Sequence, residues 1–231
     1  MAQNIHRISK KFDVWMLLII SALVYLPFVA KFGYLYDDWY LMYAAKVRGP
    51  LVFKDVYIID RPIRALVMIP AYALFGEHPL YYNLSAYLFR LLGALVFLWI
   101  LRKLWPAQRT ATTIMALLFL IYPGFLSQPN GIDYQAQQVS LFLVMLSIAL
   151  TIKALEVKKR KIKTLYLLGI ALLSFFYLGL VEYFLGMEMI RLSCIALLER
   201  RDYRQKATGF WEKAKSVIQR ALPFFGGVAL F

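Results

Sequence analysis

The chain has 231 residues, 61% of them hydrophobic and 16% aromatic, with 17% charged and a mean hydropathy of +0.61; soluble domains of this size carry about 45–50% apolar and about 25% charged residues, which excludes a water-soluble globule. The 27 Lys and Arg residues against 13 Asp and Glu give a net charge of +14, a surplus that in so apolar a chain must be tested against membrane orientation before a polyanionic partner is inferred. One cysteine, Cys194, excludes a disulfide framework within the chain and a cysteine metal cluster.

A bilayer core of about 30 Å takes roughly 20 mostly apolar residues as a helix. Residues 14–30 form the first such run, after Arg7, Lys10 and Lys11. The run is too long, and too poor in small residues before Lys31, for a removable signal peptide, so it predicts a retained anchor with a cytoplasmic N-terminus. Residues 31–81 follow as a large outer loop, too rich in Tyr, Trp and Phe for disorder, which predicts short helices at the membrane surface. Near its start, Tyr36-Asp37-Asp38-Trp39-Tyr40 sets two adjacent carboxylates between rings that favour a membrane interface. One such acid can take a proton from an incoming hydroxyl while the other holds a metal ion or orients the acceptor. The competing reading makes Asp37 or Asp38 the N-cap of a helix running to Lys46.

Further along, Asp60-Arg61-Pro62-Ile63-Arg64 opens a short apolar helix over 63–75, with Pro62 suited to the first helical position. Arg61 and Arg64 then stand near headgroup level, where guanidinium groups hold phosphate in bidentate fashion; an Asp60 to Arg64 surface pair is the alternative. His78 is the one histidine predicted outside, and a lone loop histidine is seldom a metal ligand.

The remaining predicted spans are 82–101, 111–126, 137–152, 165–180 and 183–198, with a seventh starting at Ala221 and ending with the sequence at Phe231. If 63–75 does not cross, the basic clusters of the N-terminus and of the loops around 102–109, 153–163 and 200–220 put 19 of the 27 cations on the cytoplasmic side. If it crosses, most of them move outside, against the positive-inside bias. The expected fold is therefore an all-α polytopic transmembrane bundle: six complete spans, a truncated seventh, and one transmembrane domain over 1–231. The last eleven residues reach only about 17 Å as a helix, so the sequence is expected to be the N-terminal part of a longer membrane protein. With the cations divided among short loops, nucleic acid is not an expected partner. The stretch 199–220, where Trp211, Ala214, Ile218 and Ala221 share a face, suits either a helix on the inner leaflet or a solvated basic loop.

Asp133 is the only charge of the second outer loop and lies on the same side as Asp37 and Asp38, so three carboxylates can converge there. Within the spans stand Arg90, Glu188 and Arg191, and counting helical rise puts Arg90 and Glu188 at matching depths. That predicts an Arg90 to Glu188 contact, with Glu188 to Arg191, three residues on, as the competing pair.

A cytoplasmic N-terminus, one span, an outer loop opening on an acidic pair, Arg61-Pro62 leading into a short apolar helix, and Phe75-Gly76-Glu77-His78-Pro79-Leu80-Tyr81-Tyr82-Asn83 before the second span together resemble the N-terminal half of the GT-C membrane glycosyltransferases. Within them the pattern is similar to the bacterial relatives of protein O-mannosyltransferases and aminoarabinose transferases, over about residues 1–200. The resemblance implies sugar transfer from a polyprenyl-phosphate-linked donor to a lipid, glycan or protein acceptor at the outer face of the cell membrane. It implies Asp37 and Asp38 as catalytic acids, with an Asp-Asp pair here where Asp-Glu is commoner. It further implies Arg61, Arg64, Asp133, Tyr36 and Trp39 as substrate contacts, and a divalent ion held by Asp38 and Asp133 as the one cofactor it admits. The alternative function is non-enzymatic, a multi-span transporter, lipid flippase or membrane assembly subunit, with Arg90, Glu188 and Arg191 lining a path.

Overall fold

The computed structural model describes residues 2–122, 131–202 and 210–229, with the side chains of 2–11, 201–202, 210, 213, 214, 227 and 229 outside that description. The described residues form helices joined by short turns and loops, with no strand among them. Four helices are long and apolar enough to cross a membrane: α1 (Ala2–Val29, apolar from Phe12), α5 (Pro79–Leu104), α7 (Gly131–Glu156) and α8 (Arg160–Leu180). Residues 31–78 carry α2 (Asp37–Arg48), α3 (Val52–Tyr57) and α4 (Ala65–Phe75), the last preceded by a 3-10 turn at Pro62–Arg64. The short apolar helix expected there is present, with Pro62 in its first turn. The others are α6 (Arg109–Leu120), α9 (Met187–Asp202), α10 (Phe210–Ala221) and α11 (Gly226–Ala229).

Two of the expected spans are shorter than the hydropathy suggested. α6 stops at Leu120 after 12 residues, about 18 Å of helix, and 123–126 of the expected 111–126 run lie outside the described residues. The 183–198 run is split by a 3-10 segment at Glu182–Gly186, leaving α9 with 16 residues that include Glu188, Arg191, Glu199 and Arg200. The segment from Ala221 is likewise a 3-10 turn and a four-residue helix.

Helix α7 is the centre of the bundle, packing extensively on α5 and α8, while α1 leans on α5 and turns Phe12, Trp15, Ile19 and Leu23 outward. α5 and α7 run parallel. Their first turns meet where Gly131 lies on Asn83, and their last turns meet where Lys103 pairs with Glu156 at 2.8 Å. Parallel neighbours need a return crossover, here α6, whose start joins the far end: the Asp13 carboxylate accepts from Arg102 and, at 2.6 Å, from Arg109. At the other end, Asn83 donates to the carbonyls of Val29 and Phe32 at 3.3 and 3.2 Å and so fixes where the chain leaves α1. The end carrying residues 31–78 is called the loop end below.

The expected Arg90 to Glu188 contact is absent. Arg90 is fully buried, but it donates to the carbonyls of Leu120 at 2.7 Å and Tyr122 at 3.2 Å, with its guanidinium 4.9 Å from the Tyr25 ring. The last carbonyls of a helix have no intrahelical partner, and in an apolar surround they need a donor from elsewhere. Arg90 supplies it, which is why α6 can end deep in the bundle. Glu188 pairs instead with Arg191 at 2.8 Å, the competing partner three residues on.

The close approach at Gly131 makes a sharp expectation. A Cβ there would meet both the side chain and the backbone of Asn83, so no rotamer relieves it. Gly131→Ala is expected to lower stability by about 1–3 kcal/mol, read from the unfolding midpoint in detergent. Gly169→Ala on α8, whose Cβ would only touch Leu150 at an ordinary 3.8 Å, is expected to leave stability unchanged or raise it by up to about 1 kcal/mol.

Candidate functional site

The outer-loop residues build a small core of their own. Leu41, Met42 and Ala45 of α2, Phe53 and Tyr57 of α3, and Met68 and Ala71 of α4 bury together with Tyr82 and Ile132 from the first turns of α5 and α7. Tyr82 ties the α4 to α5 corner by donating to the carbonyl of Gly76 at 3.0 Å, where glycine takes φ 58°, a conformation that penalises side chains. This packing sets the start of α2 directly against the start of α7.

The two adjacent acids have different surroundings. Asp38 is completely buried; its Oδ2 accepts from the Leu35 N–H at 3.2 Å and its Oδ1 from the Asp133 N–H at 2.9 Å. Neither acid is a simple N-cap of α2, whose capping position is Tyr36, with no side-chain bond. Asp38 instead bridges Leu35, two residues before its own helix, and the first turn of α7, where free N–H groups and the helix dipole favour a carboxylate. Burial nonetheless pushes its carboxyl up to about 6 from an ordinary 3.8, the two N–H bonds offsetting only part of the desolvation. Asp37 is exposed. Tyr36 beside it has φ 47° and ψ −118°, a strained backbone for a non-glycine residue, and its ring is 86% exposed. Trp39, also exposed, stands edge-on to Tyr34 at 4.9 Å between ring centres.

Asp133 turns its carboxylate to Arg64, which also donates to the Asp133 carbonyl. The alternative Asp60 to Arg64 surface pair is not formed: Arg64 is 96% buried, its guanidinium 4.7 Å from the Tyr57 ring, and Asp60 approaches Arg61 at 3.7 Å. Among the described residues, Arg64 Nε and the Tyr57 hydroxyl are buried with no hydrogen-bond partner, each a costly group to leave unmatched. Burial raises the Tyr57 phenol to about 12, partly opposed by Arg64. Arg61 binds Glu182 through two N–H groups, each at 2.8 Å, at a half-exposed site.

Asp38, Asp133 and Arg64 are thus brought together, with Asp37, Tyr36 and Trp39 on the exposed rim and Arg61 on a neighbouring ion pair. The first and second outer loops meet at Asp38, where the charges of both Asp133 and Asp37 add to the upward push on its carboxyl. Among the described residues no group of three or more His, Cys, Asp or Glu side chains is placed to share a metal ion. The proposed donors do not fit one either, since Asp38 is engaged by backbone N–H groups and Asp133 by Arg64. Residues 123–130, including Gln128, Pro129 and Asn130 of the second loop, lie outside the described residues. Tyr57 and Asn83 were not singled out in the sequence. Asn83 had a signal, an amide inside an apolar run, whereas Tyr57 is one tyrosine among many.

No protein-family model matches the chain, nor does any curated protein or solved structure.

Proposed function

We propose that this protein is an integral membrane glycosyltransferase of GT-C type, transferring a sugar from a polyprenyl-phosphate-linked donor to an acceptor hydroxyl at the loop end, with that end facing outside and the N-terminus in the cytoplasm. The observation that carries the reading is the junction of Asp38 with the first turn of α7, which sets a buried carboxylate, with the exposed Asp37 next to it in the chain, against the Asp133 to Arg64 pair at one end of an apolar bundle. In this reading the chain crosses the membrane six times, with α6 and α9 lying within the third and sixth crossings.

Asp37 is the general base, free to reach an acceptor; it takes the hydroxyl proton as the acceptor oxygen bonds to the sugar carbon and the bond to the donor phosphate breaks. Asp38 positions it from the adjacent residue. The departing phosphate needs its charge matched, and Arg61 can exchange Glu182 for that phosphate without unburying anything. Trp39 and Tyr36 offer exposed rings for the sugar or the interface. No step is assigned to a metal. A transport path through Arg90, Glu188 and Arg191 has less support, because each of these groups is already bonded to protein.

The test is transfer of labelled sugar by the protein in proteoliposomes, from a panel of polyprenyl-phosphate-linked pentoses and hexoses to lipid and peptide acceptors. Arg61→Gln is expected to raise the donor KM about 10- to 100-fold, the worth of a charged hydrogen bond. Stability should change by less than about 1 kcal/mol, since the Glu182 pair is half exposed. An unchanged KM removes Arg61 from the donor site, and no transfer from any donor overturns the function.

A further inference from the structure

Between the parallel helices α5 and α7 runs an open groove of about 370 Å³. Its walls are apolar, Leu92, Val96 and Trp99 on one side and Leu146 and Leu150 on the other, and its one charged lining residue is Lys153 at the end remote from the loop. From Phe142, the lining residue of α7 nearest the loop end, to Lys153 is about 16 Å of helix, close to half of the about 30 Å hydrocarbon core. The groove therefore has the depth of a single leaflet, with a cation where that leaflet's headgroups lie.

The cation is held there. The Lys153 and Lys103 ammonium groups stand 5.4 and 5.6 Å from the Trp99 ring, so the indole that lines the groove also fixes both charges at its mouth. Lys103 is matched by Glu156; among the described residues Lys153 has no acidic partner. The same end carries the exposed Lys158, Lys159, Arg160, Lys161 and Lys163 at the start of α8, which favours an anionic surface over a zwitterionic one.

We propose that this groove binds one anionic phospholipid of the leaflet opposite the loop end, an acyl chain lying against Leu92, Val96, Leu146 and Leu150 and the phosphate on Lys153. The site is separate from the Asp38 junction and independent of the function proposed for it. It would let the protein retain a lipid between two helices that its own side chains leave unfilled.

Native mass spectrometry of the whole chain, released from micelles doped with equal amounts of phosphatidylglycerol and phosphatidylcholine of matched acyl chains, tests this. One retained lipid is expected, with phosphatidylglycerol favoured about fivefold, the effect of one lysine near a headgroup. Lys153→Gln should abolish the preference and keep the lipid, and Leu146→Trp should expel both lipids while circular dichroism shows helicity intact. If Leu146→Trp fails to fold, the Lys153→Gln result decides alone. Equal retention of the two lipids by the unaltered chain overturns the proposal. So does a preference that survives Lys153→Gln, or displacement by undecaprenyl phosphate where excess phosphatidylglycerol displaces nothing.

Discussion

Replacing Asp37 and Asp38 together by asparagine is expected to lower sugar transfer about 10²- to 10⁴-fold, the range for loss of a positioned proton acceptor. The single variants separate the two roles. Asp37 is exposed, so Asp37→Asn should keep the unfolding midpoint and lose turnover. Asp38→Asn should lose both, because an amide presents one oxygen where the carboxylate accepts from Leu35 and Asp133, and one buried N–H is left unmatched at about 1–3 kcal/mol. Full transfer by the double variant would sink the catalytic assignment.

Asp38 also predicts a pH dependence. Its carboxyl titrates near 6 in the folded chain against 3.8 ordinarily, so between those values the folded state holds a proton that the unfolded state has lost. Stability from this group is therefore fully present below about pH 4 and declines as pH rises toward 6. In Asp38→Asn the decline across that window should flatten. Transfer, if it needs the ionised junction, should rise over the same interval, so stability and activity move in opposite directions.

The second large effect concerns α9. Arg191 is fully buried and donates to Glu188 at 2.8 and 3.0 Å, Thr151 at 2.7 Å and Ser147 at 2.9 Å, while the Tyr177 hydroxyl donates to the same carboxylate. One guanidinium thus joins α7 and α9, and through Tyr177 the carboxylate adds α8. Arg191→Leu strands the Glu188 charge in apolar surroundings and is expected to destabilise the protein by about 3–5 kcal/mol. Glu188→Met with Arg191→Leu should recover most of that, because well-packed apolar residues replace a buried ion pair at little net cost. Unfolding midpoints of the three variants in one detergent measure the coupling. A double variant as unstable as Arg191→Leu alone would show that the lost bonds to Ser147 and Thr151, not the stranded charge, set the effect.

The sequence carried the long helices and the local starts of the short ones. Pro62 marked the turn into α4, and Asp37 and Asp38 marked the first turn of α2. It carried less where a property depends on rotation about a helix axis. Counting rise put Arg90 and Glu188 at one depth, but depth says nothing of which way a side chain points, and Arg90 points at the end of α6. That end had a local signal, since Pro123 and Gly124 follow Tyr122 and the residue before proline avoids the helical region; the apolar run through Leu126 concealed it. At the candidate site the convergence of Asp38 with Asp133 followed from sidedness alone. The Asp133 to Arg64 pair did not, because Asp60, the nearer acid in the chain, was the obvious alternative.

The Asp38 junction has a further consequence for the order of assembly. Its two ends lie 95 residues apart in the chain, and in a protein made from its N-terminus the acidic pair emerges long before the helix that receives it. A nascent chain arrested before residue 131 has Asp38 without its α7 partner, and the loop core without Ile132. The loop end therefore cannot settle until α7 is in place, so its completion is a late, non-local event, and exchange of the Leu35 amide in arrested chains of increasing length would time it.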